Sequence, residues 1–118
     1  MKDIHCNRYM IGMILTVVVT LAACSAENHL EQAIQHTKAA SQAREGKSVV
    51  KHAQSAKDHA TDAKNAKPNE KHSPNSSEHL VEGIRSLDQA IEKGNLDAVD
   101  SAKQAAEDAL THLQQAKK

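Results

Sequence analysis

Apolar residues recur along the chain at helical spacing, in four runs of unequal strength. Leu80, Ile84, Leu87 and Ile91 make one stripe; Leu96, Val99, Ala102, Ala106, Leu110 and Leu113 make another. The first half is thinner. Leu30 and Ile34 are followed there by Thr37 and Ser41, and Val49 and Val50 by Ala53, Ala56, Ala60 and Ala63. The spacing predicts a first helix over 29–44, capped by Asn28 with Glu31 three residues on, as in a capping box. A second is expected over 49–66 with Ser48 as its cap. Residues 67–76, with Pro68 and Pro74, read as a linker. The third helix is expected to begin just after it and to end before Gly94, and the fourth to open on Asn95 as cap. Gly46 and Gly94 each fall where a helix end takes a left-handed glycine.

The two halves resemble each other. NHLEQAIQ aligns with EHLVEGIR, and VKHAQSAKDHA with VDSAKQAAEDA, so that Leu30 matches Leu80, Ile34 matches Ile84 and Val50 matches Val99. The expected fold is therefore all-α: an antiparallel four-helix bundle built from two similar helical hairpins, 28–66 and 77–117. Alanine lets helices approach closely but removes little apolar area from water, at about 25 cal/mol per Å². The alanine-rich first hairpin should be the weaker half.

The N-terminus changes what counts as the folded chain. Lys2 and Arg8 precede the apolar run MIGMILTVVVTLA, which ends in LAAC at Leu21 to Cys24. A basic start, a short apolar run and small residues at the cleavage point make a secretory leader, too short for a membrane span. LAAC also resembles a bacterial lipobox, in which the cysteine becomes the lipidated first residue. Residues 1–23 are thus read as a lipoprotein-type signal peptide, Cys24 as the lipid anchor and 24–118 as the bundle domain. Ser25, where Asp would favour the inner membrane, points to the outer membrane facing the bacterial periplasm.

Trimmed this way, the chain loses all three Met, its only Tyr and one of its two Cys. Removing Lys2, Arg8 and Asp3 from 15 basic and 15 acidic residues leaves 13 against 14, so no electrostatic case for nucleic acid exists. What stands out is histidine. His29 and His36, and His52 and His59, are seven residues apart, two helical turns or about 10.5 Å. One helix alone cannot bring such a pair onto one ion, so partners must come from a turn away or from across an interface. His59 has Asp62, and His79 has Glu82, three residues on. Folding the first hairpin about Gly46 places His36 within reach of His52 and His29 within reach of His59, with Asp62 and Glu31 nearby. Two stacked sites along one seam are expected.

A single histidine on a helix flank is ordinarily a solvated side chain and nothing more. These share a phase: each helical histidine directly precedes a core-type residue (Leu30, Thr37, Ala53, Ala60, Leu80, Leu113). The set His29, His36, His52, His59, Asp62, His79, Glu82 and His112 is the candidate metal-ligand inventory. With Met and free Cys absent, the soft ligands that select Cu(I) are missing. Imidazole with carboxylate suits Cu(II) first, then Zn(II) or Ni(II). Neutral imidazole is the ligand form, so binding should weaken below a pH of about 6.5.

The segments HLEQAIQHTKAA, GKSVVKHAQSAKDHA, HLVEGIRSLDQAIEKG and AAEDALTHL resemble those of the small metal-binding protein family. The resemblance covers nearly all of the chain after the leader. It implies a periplasmic, histidine-rich four-helix bundle with heptad-spaced histidines that binds Cu(II) and other divalent ions. It carries over only to His29, His36, His52, His59, His79 and His112. Ala43, Ala66, Ser86, Lys93 and Ala105 continue the seven-residue frame without histidine, which implies fewer ions.

No nucleophile triad, phosphate loop or Glu-x-x-His di-iron motif is present after the leader, so no enzyme activity is expected. The leading expectation is a divalent-metal binder of the cell envelope. The rival is a structural or partner-binding envelope lipoprotein, acting alone or as a homodimer, whose histidines are incidental.

Overall fold

The computed structural model describes residues 26–66 and 74–118; the leader, Cys24 and His72 lie outside them. The described chain forms four helices: α1 (Ala26–Gln42), α2 (Gly46–Asn65), α3 (Pro74–Asn95) and α4 (Val99–Ala116). Consecutive helices pack side by side, and α1 closes the ring against α4. This is the expected four-helix bundle.

Burial alternates in steps of three and four. The inward residues are Leu30, Ala33, Thr37 and Ala40 on α1, and Val49, Ala53, Ala56, Ala60 and Ala63 on α2. On α3 they are Ser76, Leu80, Gly83, Leu87, Ala90 and Gly94. On α4 they are Ala102, Ala106, Ala109, Leu113 and Ala116. Such spacing is the a/d pattern of bundles and coiled coils. With Leu30 at position a, the e flank carries Ile34, Val50, Ile84, Ile91 and Leu110, all half-buried. The g flank carries every helical histidine, also half-buried. One shoulder of the core stripe is thus aliphatic and the other imidazole.

Among the described residues, twelve of the seventeen buried hydrophobics are alanine, so the helices lie close and each contact contributes little. The fully buried larger side chains are Leu87, Leu113, Val49 and Thr37. Only Val49 among them is an aliphatic residue of the first hairpin. Thr37 is tolerated in the core because its Oγ1 donates to the Ala33 carbonyl at 2.7 Å.

Helix ends depart from the sequence reading in ways that side-chain chemistry explains. The first helix begins at Ala26, so Asn28 lies inside its first turn, and Glu31 pairs across the bundle with Lys117 at 2.5 Å. Ser48 does not cap α2; Glu45, extended, precedes the helix. Pro74 opens α3, where a proline's missing N–H costs nothing, so residues 74–76 of the expected linker are helical. Ser76 is buried there, and its Oγ donates to the Ala116 carbonyl at 2.8 Å, satisfying one of the orphan acceptors at the end of α4. Asn95 ends α3 instead of capping α4, and Leu96, in the turn, is 74% exposed and outside the core.

The two glycines do not supply left-handed turns. Asp97 does, at φ 58°. The Asp97 N–H reaches the Gly94 carbonyl at 3.1 Å and the Ala98 N–H reaches Lys93 at 3.0 Å, the bond pair of a Schellman end. Gly46 and Gly94 instead let α2 cross α3 at backbone contact. A Cβ on Gly46 would stand 2.6 Å from the Gly94 oxygen, and one on Gly94 would stand 2.7 Å from Val50 Cγ2.

Candidate metal centre

In an antiparallel helix pair the g flank of one helix faces the g flank of the other, and each g residue lies between two of its neighbour's. The histidines of α1 and α2 consequently interleave. His29 and His59 have ring centroids 5.7 Å apart, His36 and His59 5.5 Å, and His36 and His52 6.1 Å. The order along the seam is His29, His59, His36, His52. The sequence reading paired His29 with His59 and His36 with His52, and the structure brings both pairs together. It did not foresee His36 with His59, whose rings are the most nearly parallel, at 8°. That contact follows from the alternation of facing g positions, a signal present once the heptad phase is assigned.

At the outer end of the seam the Nδ1 atoms of His29 and His59 are 3.4 Å apart. Asp62 Oδ2 lies 3.9 Å from His29 Nδ1, and one ligand atom from each of the three residues falls within 4.8 Å of the others. Asp62 reaches this point because it sits one turn beyond His59 on the same face of α2. A tetrahedral ion with metal–nitrogen bonds near 2.05 Å holds its ligand atoms about 3.3 Å apart. The two imidazoles already stand at that separation, and the carboxylate has about half an ångström to close on the His29 nitrogen. Three protein ligands would leave a fourth position for water. The contact between the two imidazoles is a hydrogen bond in which one Nδ1 donates and the other accepts.

Elsewhere the inventory divides. His79 on α3 and His112 on α4 meet across the second hairpin at 6.1 Å, tilted by 31°. The His112 Nδ1 is buried with no hydrogen-bond partner, a cost a bound cation would relieve. Gly83 makes the room: a Cβ there would stand 2.9 Å from Leu113 Cδ2 and 3.6 Å from His112 Cβ. Glu82 is half-buried, but no carboxylate joins this pair in a three-ligand cluster among the described residues. Glu31, expected beside His29, is turned to Lys117 at the other seam of α1. Thr37 uses its hydroxyl on the helix backbone.

Compared with known protein families, the chain matches the family described as "Small metal-binding protein" over residues 4–116. Comparison with curated proteins gives no significant match.

Proposed function

Because the chain belongs to the small metal-binding protein family, we propose that it binds and buffers divalent metal in the bacterial cell envelope, Cu(II) first. The observation that carries this reading is the His29, His59 and Asp62 group, with its Nδ1 atoms 3.4 Å apart. Two borderline nitrogens and one hard oxygen are a donor set for Cu(II), Zn(II) or Ni(II), and Cu(II) heads the affinity order for any such set. A tetragonal Cu(II) site wants neighbouring nitrogens about 2.9 Å apart, so these rings would close by about half an ångström. Half-buried side chains on a solvent-facing seam have the freedom to do so.

The role is that of a carrier or buffer and not of an enzyme. The cluster of His29, His59 and Asp62 offers three ligand atoms and contains no hydroxyl or thiol nucleophile. The leader over 1–23 supports export, and the LAAC ending supports lipidation at Cys24 with outer-membrane sorting. Since α1 begins at Ala26, the bundle would stand directly on the membrane surface.

Calorimetric titration with Cu(II), Zn(II) and Ni(II) at pH 7.5 and 5.5 tests the reading. Micromolar or tighter binding at the higher pH, lost at the lower, is expected because protons compete for imidazole nitrogen. Millimolar or absent binding at pH 7.5 would leave the rival reading, a lipoprotein that docks an envelope partner or a second copy of itself.

A further inference from the structure

The α1–α2 seam contains more than two separate sites. His59 stands against both His29 and His36, and His36 against both His59 and His52. Four imidazoles therefore make three overlapping pairs, and neighbouring pairs share a ring. We infer that the seam is a track along which a bound divalent ion moves by exchanging one histidine at a time. The inference rests on the metal-binding reading above and extends it.

Each pair has the span an ion needs. Two imidazoles on one tetrahedral ion have ring centroids about 5.2 Å apart, taking metal–nitrogen bonds near 2.05 Å. The middle pair, at 5.5 Å, is the nearest to that value, and the outer two, at 5.7 and 6.1 Å, need modest closing. An ion held by His29 and His59 passes to His59 and His36 by releasing His29 and gaining His36. It reaches His36 and His52 by releasing His59 and gaining His52. One imidazole stays bound throughout each step, so the ion never returns fully to water. All four rings are half-buried, which keeps them near the seam while leaving rotamer freedom to swing.

Sharing also sets how the seam fills. One ion exchanges among the three pairs. A second ion forces both to the ends, on His29 with His59 and Asp62 and on His36 with His52, because the middle pair then has no free ring. Like-facing rings on one helix are two turns apart, so the two ions would be separated by about 10.5 Å. Asp62 is exposed at the His29 end only, which gives the track a deeper end near the C-terminus of α2.

Two double variants with equal histidine content separate this picture from two independent sites. His29→Gln with His52→Gln leaves the adjacent His36 and His59. His36→Gln with His59→Gln leaves His29 and His52, which have no partner ring. Independent end sites lose one ligand each in both variants, so both should bind alike. The shared track predicts that the first binds Zn(II) at least tenfold more tightly than the second, with the His36 and His59 ring signals shifting together in NMR. A single His29→Gln variant provides a milder version in which His59 must still respond to Zn(II), through His36. Equal affinities of the two double variants, with the wild type binding normally, would overturn the track and leave the metal-binding function standing. A wild type whose seam rings ignore Zn(II) would overturn both.

Discussion

His59 is the most informative single substitution, because it belongs to the His29–Asp62 group and also touches His36. In His59→Gln the outer cluster keeps one imidazole and a 59%-exposed carboxylate, which is too little for a specific site. His36 and His52 still stand together at 6.1 Å, so one ion of the seam survives. Binding to the folded state alone stabilises by about 2.7 kcal/mol per site at a free concentration one hundred times the dissociation constant. Two filled seam sites would contribute about 5.4 kcal/mol, and the variant should keep about half of that. For a domain of this size 1 kcal/mol moves Tm by roughly 4–8 °C, so the lost half is on the order of 10–20 °C. The assay is a pair of thermal melts by circular dichroism, with and without saturating Zn(II), at pH 7.5. Gln keeps the bulk of the side chain, so the metal-free melts of the two proteins should nearly coincide. At pH 5.5 the metal-induced rise should shrink in both, since neutral imidazole is the ligand form and stability gained through it falls as protons compete. A variant that keeps the full rise at pH 7.5 would refute the assignment of His59.

Two structural predictions concern the helix ends. Gly46→Ala places a methyl group 2.6 Å from the Gly94 carbonyl and 2.8 Å from Asp97 Oδ1. The first of these is backbone and cannot move aside cheaply, so urea unfolding should show a loss of about 1–3 kcal/mol. Asp97→Gly should raise the urea midpoint by up to about 1 kcal/mol in stability, because glycine removes the Cβ penalty of a residue at φ 58°. A fall in midpoint would show that the Asp97 side chain contributes more than its backbone conformation costs.

The bundle and the clustering of histidines were legible because both follow from one seven-residue frame. Leu30, Thr37, Ala53, Ala60, Leu80 and Leu113 mark the a positions, and the residue before each is histidine. The pairing of His29 with His59 needed only the turn near Gly46 to be placed correctly. What escaped the sequence reading depended on three-dimensional competition for the same residue. Glu31 reads equally as a capping-box partner, a metal ligand or an ion-pair partner, and only the arrival of Lys117 decides it. Gly94 and Asp97 both fit a helix end, and a left-handed aspartate is the rarer choice. It wins here because Gly94 is needed at the crossing with Gly46 and Val50, where any side chain would collide. Leu96 matched the stripe by spacing but falls in the Schellman turn, which rotates it outward.

The same frame explains why a core of small residues and a histidine seam occur together. A small residue at most a and d positions draws the helices of each hairpin close, and close helices bring facing g residues within the span of one ion. In the first hairpin, where alanine supplies Ala33, Ala40, Ala53, Ala56, Ala60 and Ala63, the seam carries four interleaved imidazoles and a carboxylate. The second buries as many alanines (Ala90, Ala102, Ala105, Ala106, Ala109 and Ala116) and adds Leu80, Leu87 and Leu113; there only His79 and His112 meet, at 6.1 Å. Alanine thus permits close approach in both hairpins, and the number of histidines at g sets what each seam can offer an ion. An ion bound at the first hairpin's seam would add stability that this half lacks in large apolar side chains, and would couple its folding to metal supply.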